Sequence, residues 1–308
     1  MKALVLVAVL ASVLAGVAVG AGDREDSFSV ESLTRLVITN DRQSRYNREW
    51  ACWMLAGTEL PPTAALPALI VAMQDGSPAN ESARAACARA IAMLGPSAAP
   101  AVDALVGVLD EDALSLQWRD THDARENGRT VGEVVKALGQ IGPAAIPALV
   151  RRLDFRPDDQ GENTNAALAP AASALGRIGL PAVPALLEAL KDPEKKYGAI
   201  DALGDVGASA ADRSVPALIP LARDPDSIVR GGVVSALGHM GPRAQDAVPA
   251  LVDALNDESD SVRLNAIWAL AGIGAGAQAA VPALTRLAES GKGHFEAAQL
   301  ALKKIQDR

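Results

Sequence analysis

The sequence predicts an all-α chain built as a solenoid of about seven stacked helix pairs, and three observations lead there. Hydrophobic residues make up 49% of the 308 positions, while aromatic residues make up only 3%. That balance excludes a disordered chain, which needs low hydrophobicity and high charge. It also starves a β-sandwich or barrel of the aromatic residues that sheets favour. Alanine, second, is roughly a fifth of the chain, about double ordinary usage, as closely stacked helices require. Third, a four-residue phrase recurs along most of the chain.

The phrase reads Leu66-Pro67-Ala68-Leu69, Ile146-Pro147-Ala148-Leu149, Val183-Pro184-Ala185-Leu186, Val215-Pro216-Ala217-Leu218, Val248-Pro249-Ala250-Leu251 and Val281-Pro282-Ala283-Leu284. A degenerate copy, Val102-Asp103-Ala104-Leu105, carries aspartate in place of proline. Positions 67, 103, 147, 184, 216, 249 and 282 step by 36, 44, 37, 32, 33 and 33 residues. Proline suits the first turn of a helix, where its missing N–H has no partner to lose. Each Pro-Ala-Leu is therefore expected to open a helix, with Leu149/Leu153, Leu186/Leu190 and Leu251/Leu255 on one face at i, i+4.

Ahead of each opening lie glycines, as in Leu138-Gly139 with Gly142, Leu175-Gly176 with Gly179, Leu203-Gly204 with Gly207 and Leu237-Gly238 with Gly241. Glycine ends a helix at little steric cost. A first helix precedes those glycines, read as Val131 to Leu138 or Val262 to Leu270. The unit is thus helix, glycine turn, proline-started helix, loop. Gly231 and Gly232, inside a first helix, are expected to let backbones approach closely.

Val-Arg followed by small residues and Ala-Leu recurs as Val229-Arg230 to Ala236-Leu237 and Val262-Arg263 to Ala269-Leu270, with Asp224 and Asp257 ahead. On these residues the chain resembles the HEAT-repeat family, in particular the short bacterial phycobilisome-lyase-type HEAT-like repeats. The likeness covers about residues 45–308 and is strongest from 131 onward. It implies a right-handed superhelix of the armadillo/HEAT type, each unit touching its neighbours. Ankyrin repeats share the period but not the Thr-Pro-Leu-His phrase.

Four segments follow. Residues 1–21 run from Met1 and Lys2 into the apolar stretch Ala3–Val19, then small residues and the charged run Asp23-Arg24-Glu25-Asp26. This describes a secretory signal peptide cut after Gly20 or Ala21, so the chain is expected to be exported to a periplasm or beyond. The alternative is an uncleaved anchor over residues 3–19, at the lower end of the roughly 17–25 residues that span a bilayer. Residues 22–45 make an N-terminal cap, with Ser29 leading Leu33, Leu36 and Val37. Residues 46–294 hold the array. Residues 295–308 make a closing helix, with Phe295, Leu302 and Ile305 inward and Lys303, Lys304, Asp307 and Arg308 in water.

No catalytic constellation stands out, and neither a cofactor nor a metal site is expected. His122, His239 and His294 are far apart, with no HExxH or Cys-x-x-Cys spacing. Gly95-Pro96-Ser97-Ala98-Ala99 lacks the second glycine of a nucleophile elbow, and the repeat turn accounts for it. Nucleic acid is not the expected partner. The net charge is −8, and the series Val71, Gly107, Arg151, Glu188, Pro220, Asp253, Arg286 on the second helices is mixed in sign. Asp224 with Arg230, and Asp257 with Arg263, read as structural ion pairs that tighten the loops.

The longest interval inserts a polar loop over 110–130, with Trp118, Arg119, His122, Asp123 and Arg125; the next long loop holds Phe155 and Arg156. Both follow a second helix, so both should emerge on one edge. Trp and Arg anchor interfaces, which makes these seven residues the candidates for holding a protein partner. Cys52 and Cys87 fall on the first helices of successive units. Helix axes about 8–10 Å apart leave a disulfide open only if the two side chains point together. The expected function is an exported, non-catalytic scaffold that binds protein through its inner helix face and its inter-repeat loops. The resemblance also leaves open a subunit of a lyase or chromophore-handling assembly, and a membrane partner arises only if the leader is uncleaved.

Overall fold

Pro-Ala-Leu opens the second helix of most units, as its chemistry requires. In the computed structural model, prolines occupy the first turn of the helices that start at Leu66, Ile146, Val183, Val248 and Val281. The structure describes residues 29–38, 44–57, 63–75, 81–115, 122–154, 168–290 and 293–306. The expected leader over 1–21 lies outside these residues.

Among the described residues there are sixteen α-helices and no strand. An N-terminal helix α1 (Val30–Ile38) is followed by seven helix pairs. These are α2 (Ser44–Gly57) with α3 (Leu66–Met73), α4 (Glu81–Met93) with α5 (Val102–Ser115), and α6 (His122–Ile141) with α7 (Ile146–Val150). Next come α8 (Leu168–Ile178) with α9 (Val183–Ala189) and α10 (Lys196–Val206) with α11 (Ala211–Leu218). The last pairs are α12 (Ser227–His239) with α13 (Val248–Ala254) and α14 (Asp260–Ile273) with α15 (Val281–Glu289); α16 (Phe295–Gln306) ends the stack. First helices lie beside first helices, α2 against α4 and onward to α16. One hydrophobic core runs through the array from Leu33 to Ile305.

The turn within each unit is a 3₁₀ segment, not a bare glycine bend. Residues such as Ala98, Ala101, Ala145, Ala244, Ala247, Ala277 and Ala280 point from it into the core with no exposed surface. Much of the alanine excess therefore fills space between hairpins, where a larger side chain would not fit. The two glycines of each turn divide the work. The second one turns the chain: Gly179 sits at φ 76°, ψ −139° and Gly274 at φ 65°, ψ −132°, conformations that a Cβ strains. At Gly179 the flanking helical segments turn by 114°.

The first glycine stays helical and lets neighbouring first helices touch. A Cβ on Gly238 would fall 2.9 Å from Ala269 Cα, and one on Gly176 2.4 Å from Asp205 Cβ. Gly231 and Gly232 behave otherwise, against expectation. Their Cβ positions meet nothing nearer than 3.5 Å, because the helices have already diverged there, so packing does not require glycine.

Two further differences from the sequence reading have physical causes. The polar insertion over 110–130 is mostly helix: α5 runs on to Ser115 and α6 begins at His122, nine residues ahead of Val131. Its charged side chains extend existing helices more readily than they open a loop, since helix propagation follows a formed nucleus. In the fifth pair, Pro216 lies inside α11, which starts at Ala211 and passes into a 3₁₀ turn at Ile219. The missing N–H at Pro216, and Pro220 beyond it, shorten the α-helical part. The cysteine pair that the sequence left open is bonded: Cys52 and Cys87 have Cα atoms 4.9 Å apart and no exposed surface. Ala51, Ala86, Ala88 and Ala90 beside them are buried, small side chains that let two backbones approach closely.

Candidate functional site

Two features of the stack come directly from the repeat: a polar ladder along the loop edge and a face made by the first helices. On the ladder, cations near the start of several first helices reach the loops beside them, and Arg230 reaches the loops on both sides. The guanidinium of Arg230, with its side chain 9% exposed, donates from Nε and Nη2 to the Asp257 carboxylate at 2.7 and 2.9 Å. Nη1 donates to the main-chain oxygens of Asp224 and Pro225 at 2.9 and 3.0 Å, and Nη2 also reaches Glu258 at 3.1 Å. All five N–H groups of an arginine are thereby used.

The pairing is offset by one loop from the one the sequence suggested. Asp224 gives Arg230 its carbonyl, while its carboxylate takes Lys196 at 2.8 Å. Arg263 likewise donates to the carbonyls of Asp257 and Glu258 at 2.7 and 2.9 Å, and to the Asp260 carboxylate at 2.5 Å. At the N-terminal end buried Arg48 donates to the Asp75 carboxylate of the next loop at 2.9 Å, as Arg230 does to Asp257. An aspartate just ahead of a first helix can offer its carbonyl to that helix's arginine, while the carboxylate faces the opposite way. Spacing in sequence does not reveal this split.

Charges on the ladder are tuned accordingly. The hydrogen bonds from Arg230 hold the Asp257 carboxyl below the usual carboxylate range against the opposing effect of burial. Burial pushes Asp224 up, but the Lys196 hydrogen bond and the Asp226 N–H outweigh it and leave it lowered. Asp226 also caps α12, accepting from Ile228 N at 2.8 Å. These groups are satisfied structural parts.

The first-helix face is different. Five of the large apolar side chains left exposed stand on first helices or on α16: Trp53, Met93, Ile228, Trp268 and Leu300. Between α10, α12 and α14 this face sinks into a groove of about 330 Å³. Tyr197, Asp201, Ile228, Gly232, His239 and Asn265 are among its lining residues. Helical spacing puts Trp268 one turn past Asn265 on the same face of α14. Burial within the groove, then the nearby Asp205 charge, push the Asp201 carboxyl above its ordinary value, and His239 opposes them. Burial also raises the Tyr197 phenol, as does Asp201.

Models of protein families match these same segments. A model described as HEAT repeats matches residues 183–261 and 215–303. A second, described as PBS lyase HEAT-like repeat, matches residues 132–155 and 171–192. The chain belongs to the HEAT-repeat family. No curated protein matches the chain.

Solved structures with a similar helical course include an engineered protein, 24% identical over 90% of this chain and 78% of that one, with a TM-score of 0.44. Kap121p is 15% identical over 90% of this chain and 37% of its own length, with a TM-score of 0.47. Human deoxyhypusine hydroxylase in complex with glycerol is 24% identical over 91% of this chain and 96% of that one, with a TM-score of 0.35.

Of the expected partner-binding residues, Trp118, Arg119, Phe155 and Arg156 lie outside the described residues. His122, Asp123 and Arg125 are on the first turn of α6, with side chains outside the described set. The structure brings together a group that the sequence reading did not join: Tyr197, Asp201, Ile228, His239 and Asn265. Their signal was present as polar and aromatic residues at helical spacing on the sides of first helices opposite the buried leucines. Without knowing which first helices sit side by side, that spacing carries no site.

Proposed function

We propose that this chain is an exported, non-catalytic HEAT-repeat scaffold that holds a protein partner against its first-helix face. The observation that carries the reading is the exposure of large apolar side chains along that face, with Trp53 53% and Trp268 41% exposed. Tryptophan is the side chain that most often dominates binding energy at interfaces. An exposed apolar surface rimmed by polar residues marks an interaction site more often than a structural need. Trp118 and Phe155, in the two long intervals of the sequence, are the candidates for a second set of anchors.

Two features support export. The apolar leader over residues 1–21 supplies the route. The buried Cys52–Cys87 disulfide suits an oxidising compartment, because reducing compartments keep thiols free. Amino-terminal sequencing of protein recovered from its native compartment is expected to begin at Ala21 or Gly22. A chain still carrying Met1 in the membrane fraction overturns the cleaved leader in favour of the anchor over 3–19.

The binding face is tested with the full chain as bait. A partner captured by the native protein is expected to be lost on Trp53→Ala with Trp268→Ala, and kept by Val71→Ala on the second helix α3 with Leu180→Ala in a 3₁₀ turn. The reverse pattern overturns the first-helix face as the binding surface.

A further inference from the structure

α2 has the least support of the first helices, and it carries Trp53. Every later first helix lies against the second helix of the unit before it, from α4 on α3 and α6 on α5 through to α14 on α13, and the closing helix α16 lies likewise on α15. α2 begins the array and has no such predecessor. Among the described residues it packs on the nine-residue α1 and on α4. Its own apolar contribution is also small. Ala51, Cys52 and Leu55 are its buried apolar side chains among the described residues, where α14 buries Val262, Ile267, Leu270 and Ile273 besides three alanines. In a stack whose units are held by their neighbours, an end helix with little buried apolar surface opens first.

The Cys52–Cys87 bond acts at this place. It joins α2 to α4, and neither cysteine has exposed surface. Successive side chains on a helix point about 100° apart. Cys52 therefore faces α4 while its neighbour Trp53, 53% exposed, faces outward. Holding Cys52 on Cys87 fixes the direction in which Trp53 stands. Trp268 needs no such bond, because its helix α14 is packed on α12, α13 and α16.

We propose that the Cys52–Cys87 bond is a redox-sensitive lock on the partner-binding face. With the bond closed, Trp53 is held on the face it shares with Trp268 and the protein partner is captured. With two free thiols, α2 lifts from α4 and the partner is lost. The inference rests on the reading that the first-helix face carries that partner, and it adds the condition under which the face is complete. Closing the bond joins the two sulfurs and passes their two protons and two electrons to a disulfide oxidant of the thiol-exchange class, which leaves as a dithiol. A dithiol reductant runs the same exchange backwards. Because neither cysteine is exposed, reduction has to wait for α2 to open. The lock is thus set when the chain first meets an oxidising compartment, and it holds afterwards.

The test compares the full chain in three forms: oxidised, reduced with dithiothreitol, and carrying Cys52→Ser with Cys87→Ser. Free thiols are counted by mass after labelling. Hydrogen exchange is expected to rise about tenfold or more through α1 and α2 in the two forms without the bond, and to stay unchanged through α12–α16. The binding probe is the protein captured by the oxidised chain, purified and immobilised. Both forms without the bond are expected to hold it about tenfold more weakly, as loss of one tryptophan anchor implies. Glutathione disulfide is expected to restore the reduced form and not the serine form. Trp53→Ala in the oxidised chain is expected to give the same loss, and Trp53→Ala added to the serine form no further loss, since both changes remove one anchor.

Exchange that is unchanged on reduction, or that rises evenly along the stack, overturns the lock. Faster exchange in α1 and α2 with capture unchanged leaves the bond a stabilising role only and overturns it too. If Trp53→Ala weakens capture and loss of the bond does not, the lock alone fails. Capture that ignores both Trp53→Ala and Trp268→Ala sinks the first-helix reading and the lock with it.

Discussion

Arg230 illustrates how a single side chain is tied into the repeat. Its five hydrogen bonds join two successive loops through a nearly buried carboxylate. Removing one member of such a pair leaves the other buried without a counter-charge, so Arg230→Ala is expected to cost about 3–5 kcal/mol. Arg263→Ala, whose side chain is far more exposed, costs much less; urea midpoints of the two variants check the order. The acid limb follows from Asp257. Its folded-state carboxyl titrates below the unfolded value of about 3.9, so its stabilisation is complete above that range and lost as pH falls through the folded value. Stability is expected to drop below about pH 4, and Asp257→Asn to flatten that drop in unfolding curves between pH 3 and 6.

Glycine is the other lesson at this scale. Gly238→Ala drives a methyl into the Ala269 backbone and is expected to destabilise by more than about 1 kcal/mol. Gly132→Ala, in open space on α6, is expected to stabilise by about 0.5–1 kcal/mol in the same assay. Both positions read alike in the sequence, as glycine within a helical pattern. Only the distance to the neighbouring helix separates them.

Among the elements, the helix pair is the unit that repeats and the turn is the part that sets its angle. Gly179 adopts a conformation open to glycine and costly for other residues, so Gly179→Ala is expected to destabilise without any lost contact. The disulfide acts between elements, joining α2 to α4 across 35 residues of sequence. Closing a loop of that size stabilises by about 2–4 kcal/mol, and Cys52→Ser with Cys87→Ser is expected to lose that amount. Hydrogen exchange locates the loss in α2 to α4. Sequence spacing placed both cysteines on successive first helices, but the bond depended on how closely alanine allowed those helices to approach. The long insertion was legible as polar and charged, and its helical form was not, because no repeat partner defined where α5 and α6 end.

For the whole molecule, contacts between neighbours replace contacts across a globule. Each first helix packs on the next, and α16 covers the last pair with Ala298, Ala301 and Ile305. Stability in such an array is close to a sum of unit and interface terms. Ala301→Asp buries a charge under the closing helix and is expected to speed hydrogen exchange through α14–α16 while leaving α2–α4 unchanged. A uniform loss of protection along the stack would show a single cooperative core instead. The groove is also a feature of this scale, since its lining comes from three successive units.

The sequence by itself determined the all-α class, the seven-fold repeat and the hairpin of each unit. These depend on local rules: proline at helix starts, glycine at turns, leucine at helical spacing. Tertiary structure alone decided the offset of the Arg–Asp ladder, the Cys52–Cys87 bond, and which glycines separate helices and which leave space. It also gathered Tyr197, Asp201, Gly232 and Asn265 around one groove. Those outcomes depend on distances between units, and an interval of 32 or 33 residues says which positions are equivalent without saying which ones touch.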